Sequence, residues 1–386
     1  MNLRNLITAI LLVSSLLQGG PSISCAERDS INLNSEKGGI INKLIRYFEK
    51  SNKHEITNRP HFTFIAGPHY SKESGFGLGL VLGGSYSTAP QDSLVPLSNI
   101  SVVGDIATKN LYLAGIRGEH FFSDLNRRIN YSLSVKSQSS YFWGIGYYWG
   151  LYDGNKVKYR ALDVALKCSF EYRVFNRFFV GPVFDGMMFS AHNPQSKVNW
   201  QNEPLTHISV SAGGKISYDS RDNHTATKQG LHLELIQLFA PRFIGNGRYS
   251  FSSTELSANF FIPLWTGATL ATRLHGAFTY GHTPWGKLPT LGDGTMRSYY
   301  EGRYRDKDCI DAVIEIRQKL IRRSGIVLWV GAGTVFPKFK DIRYRNILPE
   351  CGMGYRWEFK RNSNVRIDYG IGRNSSGFVF SLNESF

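Results

Sequence analysis

The sequence predicts an all-β chain, a transmembrane antiparallel β-barrel of about sixteen strands, with a short helical segment ahead of it. Three observations lead there. Long stretches alternate apolar and polar residues, with the charges confined to one face. The chain holds 39 glycines and 13% aromatic residues, where glycine usage is ordinarily about 7%. Beyond residue 26 no apolar run reaches the ~18 residues a membrane-crossing helix needs. A mean hydropathy of −0.24 resembles that of a soluble protein, as expected when lipid-facing and water-facing residues of a strand average out.

The chain opens "MNLRNLITAILLVSSLLQGGPSISCAERDS". Arg4 supplies a basic start, residues 6–17 an apolar stretch, and Ser24 and Ala26 small residues at a cleavage site near Ala26. Residues 1–26 thus read as a signal peptide, too short in its apolar run to span a bilayer. Cys25 leaves a lipid-modified terminus open. If Cys25 leaves with the signal, Cys168, Cys309 and Cys351 remain, widely spaced and without a CxxC pair, so neither a metal site nor a disulfide framework is expected. The net charge of +15 would suit nucleic acid, acidic lipid or a basic lumen, and the signal peptide argues against nucleic acid.

Residues 27–59 form a polar segment on the periplasmic side with one amphipathic piece, "GIINKLIRYFEK", whose Ile40, Ile41, Leu44, Ile45 and Phe48 share a helical face. Residues 60–386 carry the strands. In "ALDVALKCSFEYRV", Leu162, Val164, Leu166, Cys168, Phe170, Tyr172 and Val174 face one way, while Asp163, Lys167, Glu171 and Arg173 face the other. "DAVIEIRQKL" and "NVRIDYGIG" repeat the pattern, placing Glu315 and Asp368 on the wet face. "GMGYRWEF" sends Met353, Tyr355, Trp357 and Phe359 to lipid and Arg356 and Glu358 inward. The turns "SDLNRR", "FNR", "WTGA", "IRRSG" and "KRNSN" are tight and several intervening connections are long, the arrangement of periplasmic turns and extracellular loops. The chain ends on a strand alternating Phe378, Phe380 and Leu382, then Glu384, and closes on Phe386.

One connection stands apart. "GDGTMRSYYEGRYRDKD", between the eleventh and twelfth strands, packs eight charged residues and three tyrosines into seventeen positions. Here the chain resembles the BamA/TamA-type outer-membrane insertase and two-partner-secretion transporter superfamily, the bacterial surface antigen barrels. Their sixth loop folds into the lumen and carries an apolar–Arg–Gly–aromatic motif, matched here by Met296, Arg297, Ser298 and Tyr299 with serine for glycine. A periplasmic-turn motif is matched by Asp219, Arg221, Asp222, Asn223 and Gly230, with Thr227 where relatives carry proline. In "LWVGAGTVF" Gly331 stands in place of the family's strand aspartate. The strand ending in Phe378, Phe380, Leu382 and Phe386 resembles an outer-membrane insertion signal. The family's POTRA domains find no room between residues 27 and 59.

The resemblance implies an integral outer-membrane barrel that takes part in outer-membrane protein or lipid assembly or export. Its expected partners are outer-membrane lipids, lipopolysaccharide included, and the outer-membrane assembly machinery, with no cofactor. Arg297 is expected to pin the loop to Glu315 or Asp368, because an arginine in a wet lumen can pair bidentately with a wall carboxylate. The alternative is a porin-like diffusion pore, anion-preferring given its basic balance. An enzyme is not expected: the ten histidines are scattered, with His192 and His282 in expected outer loops, and neither HExxH nor G-x-S-x-G occurs. No catalytic or metal-binding residue is assigned.

Overall fold

The computed structural model describes residues 61–386 apart from 90–97, 125, 196–199, 202, 225, 293, 295, 322, 361–362 and 383. The expected signal peptide, Cys25 and the amphipathic piece at 40–48 lie outside the described residues, as do the side chains of Phe359 and Leu382.

Sixteen strands close into one antiparallel barrel in sequence order. They are β1 (His61–Ser71), β2 (Gly75–Tyr86), β3 (Ser98–Ala107), β4 (Leu111–Phe121), β5 (Arg127–Phe142), β6 (Val157–Phe175), β7 (Phe178–His192) and β8 (Thr206–Asp219). The second half comprises β9 (Gly230–Ala240), β10 (Ser250–Pro263), β11 (Ala268–His282), β12 (Asp308–Lys319), β13 (Ser324–Phe336), β14 (Leu348–Lys360), β15 (Ser363–Gly372) and β16 (Ser375–Leu382). A five-residue helix, α1 (Tyr147–Leu151), lies in the loop after β5. Closure is what the sequence pattern demands. A strand with an apolar outer stripe lies against lipid, where unpaired backbone groups find no water, and only a closed sheet pairs them all.

The alternation fixes which side chains enter the lumen. On β12 Ile314 and Ile316 are exposed outward while Val313, Glu315 and Arg317 are buried inward. On β14 Met353 points out and Glu350 and Arg356 point in. Cys168 and Cys351 lie on the outer face and Cys309 on the inner one, so the wall of the sheet itself separates the inner thiol from the other two.

Three sequence expectations differ in detail. Long loops do share one rim, but that rim also holds the tight connections 72–74, 108–110 and 373–374, while the opposite rim carries the longer stretches 87–97 and 220–229. His192 and His282, expected in outer loops, are the last residues of β7 and β11. Phe386 does not extend the outward stripe of Phe378 and Phe380. After β16 the chain turns inward, because Glu384 finds Arg356 at 2.8 Å and the amide of Asn364 at 2.8 Å there. The Phe386 ring then rests beside the Arg317 guanidinium, 5.0 Å away.

The ladder is uneven. β1 pairs with β2 over eleven positions and β15 with β16 over eight. Between β1 and β16 the described register is a single pair, Tyr70↔Phe380.

Candidate functional site

The loop 283–307 folds into the barrel, and the reason is written on the wall it meets. The inner faces of β12, β13 and β14 are unusually apolar for a lumen: Cys309, Val313, Val327, Trp329, Val335 and Leu348 form one buried cluster. Leu291, Met296, Tyr299 and Tyr304 of the loop complete it. Removing such side chains from water drives docking, since each large aromatic covers 150–250 Å² or so. Further along, Trp285 and Leu288 pack with Phe142, Tyr159, Phe189 and Trp200 beneath the loops of the long-loop rim. The loop thus bridges two sides of the lumen.

Its tip carries the charge. The Arg297 side chain is fully buried and ion-paired with Glu315 on β12 and, at 3.2 Å, with Asp368 on β15. The two wall carboxylates named by alternation therefore converge on one guanidinium, which also lies 4.2 Å from the centre of the Trp329 ring. Neither carboxylate depends on Arg297 alone. Arg317 donates to Glu315 at 2.9 Å, and Arg356 donates to Asp368. Arg356 also bonds Glu384, and Arg366 stands 3.7 Å from Asp368. Glu350 accepts the Ser298 amide at 2.9 Å. Four arginines, 297, 317, 356 and 366, thus face four carboxylates, 315, 350, 368 and 384. Such balance is what lets charges persist away from bulk water.

The tip is seated on glycine. A Cβ at Gly377 would collide with the Arg297 carbonyl, and one at Gly370 would come within 2.6 Å of the Ser298 hydroxyl. Ser298, standing where the related motif has glycine, is accommodated because the wall opposite supplies the missing space. Beside it, the Tyr299 hydroxyl donates to the Pro349 carbonyl at 2.6 Å and accepts the Arg373 amide at 2.8 Å. Burial pushes the Tyr299 phenol up to about 12, so it remains a neutral donor.

The other two arginines of the loop have separate tasks. Arg303 donates from Nε to the carbonyl of Gly150 in α1 at 2.8 Å and pairs with Asp153 at 3.2 Å. Arg305 donates to the Trp285 carbonyl at 2.6 Å and lies 5.0 Å from that ring. One binds the neighbouring loop to this one, and the other braces the loop's own base.

The loop also touches both sides of the sparsely paired seam. Ser375, the first residue of β16, donates to the Ser298 carbonyl at 2.5 Å. Lys72, just past β1, reaches across to Ser375 Oγ at 3.1 Å and to the Ser376 carbonyl at 3.0 Å. Its neighbour Glu73 accepts the Glu301 amide at 3.1 Å. Loop, β1 end and β16 start are therefore joined in one ring of contacts.

At the short-turn rim the residues of the turn motif assemble a knot. Arg221 clamps Asp219 through two nitrogens at 3.0 and 2.6 Å. Asp222 accepts the amides of Lys228 and Gln229, and Asn223 accepts that of Ala226 at 2.9 Å. Thr227 donates its hydroxyl to the Asn223 carbonyl at 2.5 Å, a tether within the turn at the position where proline was expected. Gly230 has φ +125°, and a Cβ there would strike the Ser220 carbonyl.

Sequence reasoning found Arg297, Glu315 and Asp368 but not Glu350, Glu384 or the role of Ser375. Glu350 could have been found. The lumen phase of β14, set by Arg356, runs back through 354 and 352 to 350, and the paired register then puts it opposite Gly331. Glu384 and Ser375 depend on how the chain ends pack, which alternation does not encode.

No protein-family model and no curated protein sequence matches this chain. Solved structures do match its fold. BamA from Haemophilus ducreyi lacking POTRA domains 1–3 aligns with TM-score 0.56 and 10% identity over 84% of this chain and 70% of that one. CdiB from Acinetobacter baumannii gives 0.56 and 11% over 83% and 59%, and CdiB from Escherichia coli 0.56 and 10% over 84% and 63%. The chain thus spans 59 to 70% of the lengths of these proteins and shares with them a barrel fold.

Proposed function

We propose that this chain is an outer-membrane barrel of the BamA/TamA-type and two-partner-secretion superfamily, and that it serves assembly or export of outer-membrane protein or lipid without enzymatic chemistry. The observation that carries the reading is the loop tip: Arg297 buried between Glu315 and Asp368, one hydrogen-bonded residue away from a seam with a single described register pair. A barrel that only needed a pore would gain nothing from tying an internal loop to its weakest strand contact. On this reading the long-loop rim faces outward and the turn knot at Asp219–Gly230 faces the periplasm. Outer-membrane lipids, lipopolysaccharide included, and the assembly machinery are its partners. The strand end Phe378, Phe380 and Leu382 serves as insertion signal without Phe386 on the same stripe.

The test uses the purified full chain in liposomes and an unfolded outer-membrane barrel as client. Tyr70→Cys with Phe380→Cys places two thiols at the seam's paired position, within reach of a disulfide. The expected result is faster client folding with the reduced protein, lost on oxidation and regained on reduction. Client folding no faster than in empty liposomes, together with a large steady single-channel conductance, would overturn the reading in favour of a diffusion pore.

A further inference from the structure

The docked loop leaves part of the lumen open along β3 to β6, where a cavity of about 330 Å³ is lined by Asn99, Arg117, Asn130, Ser132, Lys167 and Ser169, among others. At roughly 30 Å³ per water this is room for about ten waters or a hydrated ion. One register row crosses it: Arg117 on β4 is paired with Ser132 on β5, and Ser132 with Lys167 on β6. With neighbouring strands about 4.8 Å apart, the two cationic residues stand roughly 10 Å apart at their Cα atoms, with a hydroxyl between them.

The carboxylates around this row are engaged elsewhere. Asp185, next in the row after Lys167, is ion-paired with Lys287 of the inward loop. Glu171 is fully buried under Arg128 and Lys215, which stands 3.2 Å from it. Glu119 sits 3.6 Å from Arg128. Glu255 of β10 faces Lys167 electrostatically, but it lies beside His275 at 3.8 Å. Arg117 and Lys167 themselves make no side-chain hydrogen bond or ion pair among the described residues. Two cations of different geometry, without a protein partner among the described residues, therefore flank a hydroxyl in a chamber with room for several waters.

We propose that Arg117 and Lys167, with Ser132 between them, bind a small oxyanion of the phosphate type inside the lumen. The guanidinium supplies a planar two-pronged donor, the ammonium a point charge, and Ser132 a neutral hydrogen bond to a third oxygen. The inference does not depend on the assembly reading, since a pore and an assembly barrel alike could hold such a site.

The test is calorimetric titration of inorganic phosphate into the full chain in detergent at low salt. A saturable one-to-one isotherm is expected, weakening as chloride rises. Arg117→Gln and Lys167→Gln should each weaken it roughly tenfold, the loss of one charge-assisted bond. The double variant should abolish it. Lys136→Gln, outside the row, should leave it in place. A parallel titration with a soluble short-chain phosphatidic acid names the source: equal affinity points to a free solute anion, tighter binding to a lipid headgroup. Absence of a saturable isotherm in the wild type, or one that survives in a folded double variant, overturns the proposal.

Discussion

Replacing Arg297 by alanine should release the loop, and the molecule carries its own reporter for that event. Cys309 is fully buried beneath the loop on the inner wall, with Sγ 3.8 Å from the Thr290 carbonyl. Cys168 and Cys351 face outward, so in vesicles a charged maleimide is kept from them by lipid and reaches Cys309 only when the loop lifts. Breaking a buried pair ordinarily costs 3–5 kcal/mol or so. Here Glu315 keeps Arg317 and Asp368 keeps Arg356, so each stranded carboxylate retains a partner and the lower end applies. A cost of about 3 kcal/mol multiplies the open population roughly a hundredfold. If opening and closing are fast beside labelling, the labelling rate follows that population. Cys309 should therefore label about a hundredfold faster in Arg297→Ala, with Arg297→Lys in between, because an ammonium cannot span two carboxylates as a guanidinium does. Single-channel recordings should change in parallel, from a small or flickering wild-type pore to a wide one. Equal labelling rates in wild type and Arg297→Ala would refute the reasoning and leave the loop held by the apolar seat of Met296, Tyr299 and Tyr304 together with the Ser298, Tyr299 and Arg303 hydrogen bonds. A wide, steady wild-type pore unchanged by the substitution would refute internal docking altogether.

Two further outcomes follow from the seat and the tail. Gly370→Ala should destabilise the docked state by about 1–3 kcal/mol through overpacking against Ser298, and Ser298→Gly should recover most of that loss; Cys309 labelling in the single and double variants reads both. Glu384→Leu places an apolar residue near the chain end but strips Arg356 and Arg317 of a carboxylate at 2.8 and 3.9 Å. It should cost about 1–3 kcal/mol of stability for stranded charged donors, seen as a lower urea midpoint by tryptophan fluorescence, and an unchanged midpoint would show that the inward tail contributes no stability.

The barrel was legible in the sequence because strand alternation is a local signal and lipid on one side makes it strict. Leu162 to Val174 and Asp311 to Lys319 could hardly be read otherwise, and they lie inside β6 and β12 of the sixteen observed strands. The same signal gave the inward orientation of Glu315 and Asp368. It could not give register, and register is what brings β12 and β15 to one arginine across the width of four strands. Nor could it show that Trp329 and Val313 form an apolar seat inside a lumen, because an apolar residue on the wet phase reads as noise until a loop covers it. Phe386 misled for the opposite reason: a terminal aromatic suggests an outward stripe, and nothing local announces that Glu384 will pull the tail inward.

The departures from the related motif patterns make physical sense once neighbours are considered in pairs. Gly331 lacks the expected carboxylate, but it is the register partner of Glu350, and a Cβ at 331 would lie 3.2 Å from the Glu350 side chain. The carboxylate here stands on the neighbouring strand, and the glycine is the space it leans through to reach the Ser298 amide. Ser298 lacks the expected glycine, and Gly370 on the facing wall yields the room. In each case a residue that differs from the resembled pattern is matched by its complement across the contact, Glu350 beside Gly331 and Gly370 beside Ser298, and such paired fits belong to a loop that is docked.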